Sequence, residues 1–181
     1  MVLGNVYIFA VKKGVYTTKM KRFWVTISCS LISILLMSTV VLADVPEYQV
    51  GDVIEPPYPV IIVEGDYASS EYYQITRDLI GDGWSKIKLY GSLRVLIASN
   101  TLLHEAKPKI TNEMFLMKYD PATNKSTVIE GPYRYYAYDA GYNYCEKIID
   151  VGSTGYYYTL TYHTVGTETK VSQSPAIHVS Y

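Results

Sequence analysis

Cysteine is nearly absent. The 181-residue chain has two, Cys29 and Cys145, and Cys29 falls within an apolar leader, so the remainder holds a single thiol. One thiol closes no internal disulfide, and the fold has no covalent staple even in an oxidising compartment. Signatures of catalysis are missing as well. His104, His163 and His178 are scattered, without the spacing of a metal site such as His-Glu-x-x-His. No glycine-rich phosphate loop and no Gly-x-Ser-x-Gly elbow occurs. A Cys145 nucleophile served by His104 or His163 has no local support, and Cys145 reads as a small buried apolar side chain. Asp78 and Asp82 lie four apart near Gly81 and Gly83, and Asp82-Gly83 is ordinary turn chemistry rather than a calcium site. The expectation is a non-enzymatic protein with no catalytic residues, no cofactor and no metal.

Positive charge is scarce beyond residue 43. All 17 acidic residues lie there, against 11 of the 16 basic ones, a formal charge of −6. That balance excludes the basic footprint of a nucleic-acid binder and disfavours anionic membranes and polyanionic wall polymers. Helical periodicity of useful length is also lacking.

What the front of the chain does have is a leader. Met20-Lys21-Arg22 opens a basic stretch, an apolar run of 21 residues follows at 23–43, and Val41-Leu42-Ala43 forms a small-residue exit before Asp44. Basic region, apolar region and exit together read as a secretory signal peptide over residues 20–43. Residues 1–19 read as an N-terminal extension upstream of a start at Met20. The run is also long enough to span a bilayer, so an uncleaved anchor stands as the alternative. Cleavage after Ala43 leaves 138 residues, the size of one domain.

Residues 44–83 read as an irregular lead-in. Pro56-Pro57-Tyr58-Pro59 cannot join a central strand, residues 60–63 make a short edge strand, 66–70 a loop, and 71–80 stays open between strand and helix. From 84 to 181 the pattern is β. Ile87 and Leu89, then Leu93, Val95 and Ile97, alternate with polar neighbours. Residues 114–119 and 125–130 flank the turn-forming Asp120-Pro121-Ala122-Thr123-Asn124 and read as a hairpin. Residues 133–138 form a strand broken at Asp139-Ala140-Gly141, and 142–151 return. Strand 156–165 follows the turn at 152–155, residues 166–169 turn again, and a final strand occupies 176–181. Asn124-Lys125-Ser126 matches a glycosylation sequon and is read as part of the turn. About seven strands at such spacing predict an all-β, antiparallel sandwich.

Six of the twelve residues 133–144 are tyrosine. Tyrosine suits a half-buried pleated surface, since its ring packs while its hydroxyl reaches water. Strand packing alone therefore accounts for the cluster. The functional reading is an aromatic platform made of Tyr133, Arg134, Tyr136, Tyr138, Tyr142 and Tyr144. If the strands pair across Asp139-Ala140-Gly141, Tyr136 and Tyr138 would face Tyr142 and Tyr144 as a cross-strand ladder. Farther on, Tyr156, Tyr158 and Tyr162 share one strand face, opposite Tyr157.

Three stretches, Phe115-Leu116-Met117-Lys118-Tyr119-Asp120, Gly155-Tyr156-Tyr157-Tyr158-Thr159-Leu160-Thr161-Tyr162-His163 and Ser174-Pro175-Ala176-Ile177-His178-Val179-Ser180, carry a resemblance. In these, roughly the last hundred residues resemble small, uncharacterised secreted proteins of Gram-positive bacteria that hold one immunoglobulin- or fibronectin-like β-sandwich. The resemblance implies a fold and a location, not a chemistry. The function expected is a secreted binding module at the cell envelope or in the medium. Its partner is a cell-wall glycan or an extracellular protein, with no nucleic acid, and a membrane only if the leader persists as an anchor. A self-assembling envelope protein is the alternative, and a small hydrolase the third reading.

Overall fold

A computed structural model describes residues 45–70, 72, 73 and 79–181. The leader at 20–43, the stretch 1–19 and most of the open segment 71–80 lie outside the described residues. Regular structure among the described residues is all β. Ten strands follow in order: β1 (Val53–Ile54), β2 (Ile62–Val63), β3 (Tyr67–Ser69), β4 (Tyr72–Tyr73), β5 (Ile80–Leu89), β6 (Arg94–Asp120), β7 (Lys125–Asp150), β8 (Gly155–Val165), β9 (Glu168–Gln173) and β10 (Ala176–Val179). They join in one open, mixed sheet running β1-β7-β6-β8-β10-β2, with β3 and β4 on β5, β5 on β6, and β9 on β8. Every pairing is antiparallel except that of β2, which runs parallel to β10.

Two strands of 27 and 26 residues, β6 and β7, dominate the sheet. The turn between them is built from local chemistry. Asp120 Oδ1 accepts from Ala122 N at 2.9 Å, Asp120 Oδ2 accepts from Thr123 Oγ1 at 2.8 Å, and Asn124 takes φ 55°, a left-handed position that asparagine tolerates. Continuity of these strands corrects the sequence reading. Residues 98–113 carry no unified alternation, yet they belong to β6. Asp139-Ala140-Gly141 does not end a strand, because β7 runs through it. The irregularity is absorbed instead as a bulge: pairing steps from Leu102↔Tyr142 to Lys107↔Ala140, so residues 103–106 stand against Gly141 alone. Asp139, at φ 48°, takes the strained position beside it. Two further differences have simple causes. Residues 67–69 pair with β5 rather than looping, and β9 begins at Glu168 because only Gly166 and Thr167 are needed for the turn.

Long strands give the sheet two halves. Residues 95–102 of β6 pair with β5 and with residues 142–149 of β7, whereas residues 110–119 of β6 pair with residues 126–137 of β7 and with β8. Side chains of the two halves meet. Ile87, Val95, Ile97, Cys145 and Ile149 from the first share a core with Met114, Leu116, Tyr157, Ile177 and Val179 from the second. Each large aliphatic buried there contributes about 1.5–3 kcal/mol. The opposite face of the second half, Phe115, Met117, Val128, Tyr158, Leu160 and Tyr162, is covered by the lead-in, whose Val45, Tyr48, Ile54 and Val60 pack onto it. Tyr156, Tyr158 and Tyr162 thus face this cover while Tyr157 faces the inner core, as their alternation predicts.

Candidate functional site: the outer face of strand β7

Alternation decides which side chains of β7 reach solvent. Arg134, Tyr136, Tyr138, Tyr142, Tyr144, Glu146 and Ile148 are exposed, while Asn143, Cys145 and Ile149 are buried. Tyr136, Tyr138, Tyr142 and Tyr144 are 48, 66, 64 and 50% exposed. The strand folds back between the pairs, since Asn143 Nδ2 donates to Tyr135 O at 3.1 Å and the Tyr135 hydroxyl to Glu146 O at 3.2 Å, so the rings stand as two pairs on the outer faces of the two halves. The cross-strand ladder expected from the sequence is replaced by these two pairs, because Tyr138 stands opposite Lys109 and Tyr142 opposite Leu102 on β6.

Two of the six candidate residues play a different part. Tyr133 points the other way and packs against the inner core. Its hydroxyl donates to Glu130 Oε2 at 3.0 Å, and burial, then this carboxylate, pushes the phenol up to about 12. Arg134 does share the face of Tyr136 and Tyr138, but its guanidinium is engaged by Glu113, Nε to Oε2 at 3.0 Å and Nη2 to Oε1 at 3.2 Å. Such a forked pair fixes the side chain and leaves it as a border rather than a free contact.

The remaining four rings form two groups. Tyr136 and Tyr138 have centroids 6.5 Å apart, with Lys109 Nζ 4.6 Å from the Tyr136 centroid, within cation–π range. At the other end Tyr144 lies 6.0 Å from the Trp84 ring, and its hydroxyl donates to Glu146 Oε2 at 2.6 Å. That bond, then burial, pushes the Tyr144 phenol up to about 12. Trp84, Asn100 and Tyr144 are direct neighbours across β5, β6 and β7, and Asn100 Oδ1 is buried without a partner. Leu102 (48% exposed), opposite Tyr142, and Ile148 (42%) complete the surface. Sequence reading missed Trp84, although a signal was present: it shares parity with Lys86 and Lys88, opposite to Ile87.

Two of the groups considered for catalysis, His163 and Cys145, lie inside. His163 is buried, and burial lowers its pKa to about 3, so the ring is neutral. Its Nδ1 is 2.7 Å from Thr101 Oγ1 and its Nε2 2.6 Å from Ser172 Oγ. Asn112 Nδ2 donates to Asn143 O at 2.8 Å, so Asn112 Oδ1 is the acceptor that takes the single Thr101 hydroxyl proton. Thr101 then accepts from His163, which must carry its proton on Nδ1, and Ser172 donates to Nε2. Ser172 Oγ also meets Ser85 Oγ, which reaches Thr161 Oγ1 at 2.7 Å. This buried chain ties the two halves of the sheet together.

Cys145 joins the same network through Ser99 Oγ at 3.3 Å and Asn112 Nδ2 at 3.6 Å without touching His163. Burial raises its pKa. His104 and His178 are exposed, the former against Gly81, the latter 5.0 Å from the Tyr156 ring. Among the described residues no three His, Cys, Asp or Glu side chains gather as a metal-binding group. Compared with protein-family models, curated proteins and solved structures, the chain matches none.

Proposed function

We propose that residues 44–181 form an exported, non-enzymatic binding module that holds a neutral glycan chain through the outward-facing tyrosines of β7. One observation carries the reading: Tyr136, Tyr138, Tyr142 and Tyr144 of β7 are 48 to 66% exposed as two aromatic pairs, the second joined by Trp84. Exposed rings in such pairs cost solubility and call for a partner. Two aromatic patches on one module favour a polymer over a single sugar. Polar groups accompany the rings: Lys109 beside the first pair and Glu146 beside the second. Pyranose rings present just this alternation of apolar faces and hydroxyls. The excess of acidic residues disfavours an anionic polymer.

The finer fold proposed is a two-sheet, immunoglobulin- or fibronectin-like sandwich of the kind seen in small secreted Gram-positive proteins. The shared inner core of the two halves supports it, as does Ser85 reaching Thr161. Export rests on the leader at 20–43.

The test pairs localisation with binding. Producing cells are fractionated into medium, wall and membrane, and the intact mass in each is measured. A species beginning at Asp44 in medium or wall supports the module, and a full-length species confined to the membrane replaces it with an anchored ectodomain. Titration against purified neutral wall polysaccharide then compares wild type with Tyr136→Ala/Tyr142→Ala. The double variant is expected to bind at least about tenfold more weakly. Unchanged affinity sinks the platform.

A further inference from the structure

A second surface, separate from the β7 face, has the makings of a ligand site. A cleft of about 360 Å³ lies between residues 58–61 of the lead-in, the end of β3 and the β9–β10 corner at 171–175. That volume is at the lower end of the range for small-molecule sites.

The wall chemistry narrows what fits. No Asp, Glu, Lys, Arg or His lines the cleft among the described residues, so an ionic ligand would shed hydration with no counter-charge to receive it. Tyr58, Pro59, Ile61, Val171 and Pro175 supply apolar contact. Three hydroxyls in the wall are already committed. Ser70 Oγ donates to Ser85 O at 3.2 Å and accepts from Ser85 N at 3.1 Å. Ser172 Oγ is held between His163 and Ser85. Ser174 Oγ accepts from Thr159 N at 2.9 Å and donates to Pro175 O at 3.0 Å.

Gln173 differs from these three in being only half satisfied. Its Nε2 donates to Tyr58 O at 3.2 Å, which fixes the amide orientation, and its Oε1 is buried with no partner. Buried acceptors are nearly always paired, and one that is not calls for an explanation. An arriving donor would provide it.

We propose that this cleft binds a small, neutral, largely apolar molecule carrying one O–H or N–H donor. Gln173 Oε1 accepts from that donor, while Tyr58 and the two prolines flank the apolar body. The lead-in segment is thus both cover for the second half of the sheet and one wall of the site.

Phenol and anisole, alike in shape but differing in the donor, test it on the full chain by amide NMR titration. Saturable shifts with phenol at Ile61, Val171 and Gln173 are expected, with anisole about tenfold weaker. Gln173→Leu should bring the two ligands to equal affinity, and Val171→Trp, which fills the cleft, should remove both. Phenol shifts that do not saturate, or that scatter over the surface, overturn the proposal. So does anisole binding as well as phenol, or a phenol preference that survives Gln173→Leu. If Val171→Trp fails to fold, the Gln173→Leu comparison decides alone.

Discussion

Ser172 Oγ stands 2.6 Å from His163 Nε2 and donates to it, because the proton on the far nitrogen is already given to Thr101. The imidazole therefore has no room for a second proton. In the unfolded chain it takes one below its ordinary pKa of 6.5; in the fold it stays neutral down to about 3. Stability from the neutral ring is thus complete above pH 6.5 and is lost as pH falls from there toward 3, by up to about 1.4 kcal/mol per unit. Urea midpoints should drop between pH 6.5 and 5, before most carboxylates titrate. Imidazole nitrogen shifts should report the Nδ1–H form unchanged at pH 5. A His163 that titrates near 6 in the folded protein would contradict the network.

Cys145 yields a second prediction of the same kind. Burial raises the thiol's pKa against the opposing hydrogen bonds of Ser99 and Asn112, so at pH 8 it stays a thiol and out of reach. Alkylation by iodoacetamide should run about a hundredfold slower or more in the native protein than in urea, followed by intact mass. Comparable rates would mean an accessible thiolate and would revive the nucleophile reading.

Much of the β-structure was legible because it is locally encoded. The turn at Asp120 to Asn124 is made by its own side chains, and the alternation of Tyr156, Tyr157 and Tyr158 correctly predicts which rings face which layer. The continuity of β7 was not legible. Asp139-Ala140-Gly141 has turn chemistry, and only the surplus of residues 103–106 on the partner strand turns it into a bulge. That is a long-range fact about register, invisible to a local window. The same misreading placed Tyr136 opposite Tyr142 instead of on the same strand. Asn112, Thr101 and Ser172 gave no signal because their role depends on β6 and β9 meeting His163 of β8.

The lead-in offers a prediction about stability. Tyr48 stands edge-on to Phe115 with centroids 5.7 Å apart, and 6.3 Å from Tyr162, closing a face that would otherwise be wet. Tyr48→Ala should cost about 2 kcal/mol. Tyr138→Ala, at an exposed ring, should stay within about 0.5 kcal/mol. Urea unfolding of both variants measures the contrast. Equal, small effects would show that the segment before residue 60 adds little to the fold.

Gly131 and Gly166 separate two ways in which a glycine is required. Both have positive φ, 119° and 61°. At Gly166 an added Cβ meets nothing within 4 Å, whereas at Gly131 it would lie 2.7 Å from Met114 O and 3.2 Å from Phe115 Cα. Gly166→Ala therefore carries only the left-handed backbone penalty, about 1 kcal/mol. Gly131→Ala adds a collision with the backbone of β6 at an irregular register, where Met114↔Tyr133 gives way to Leu116↔Glu130. No side-chain rotation relieves contact with a carbonyl oxygen, so the loss should reach about 3 kcal/mol or more. Urea midpoints at equal m-value give the comparison. If the two substitutions cost the same, β6 and β7 can part at this point without penalty, and the irregularity there is a soft joint rather than a fixed one.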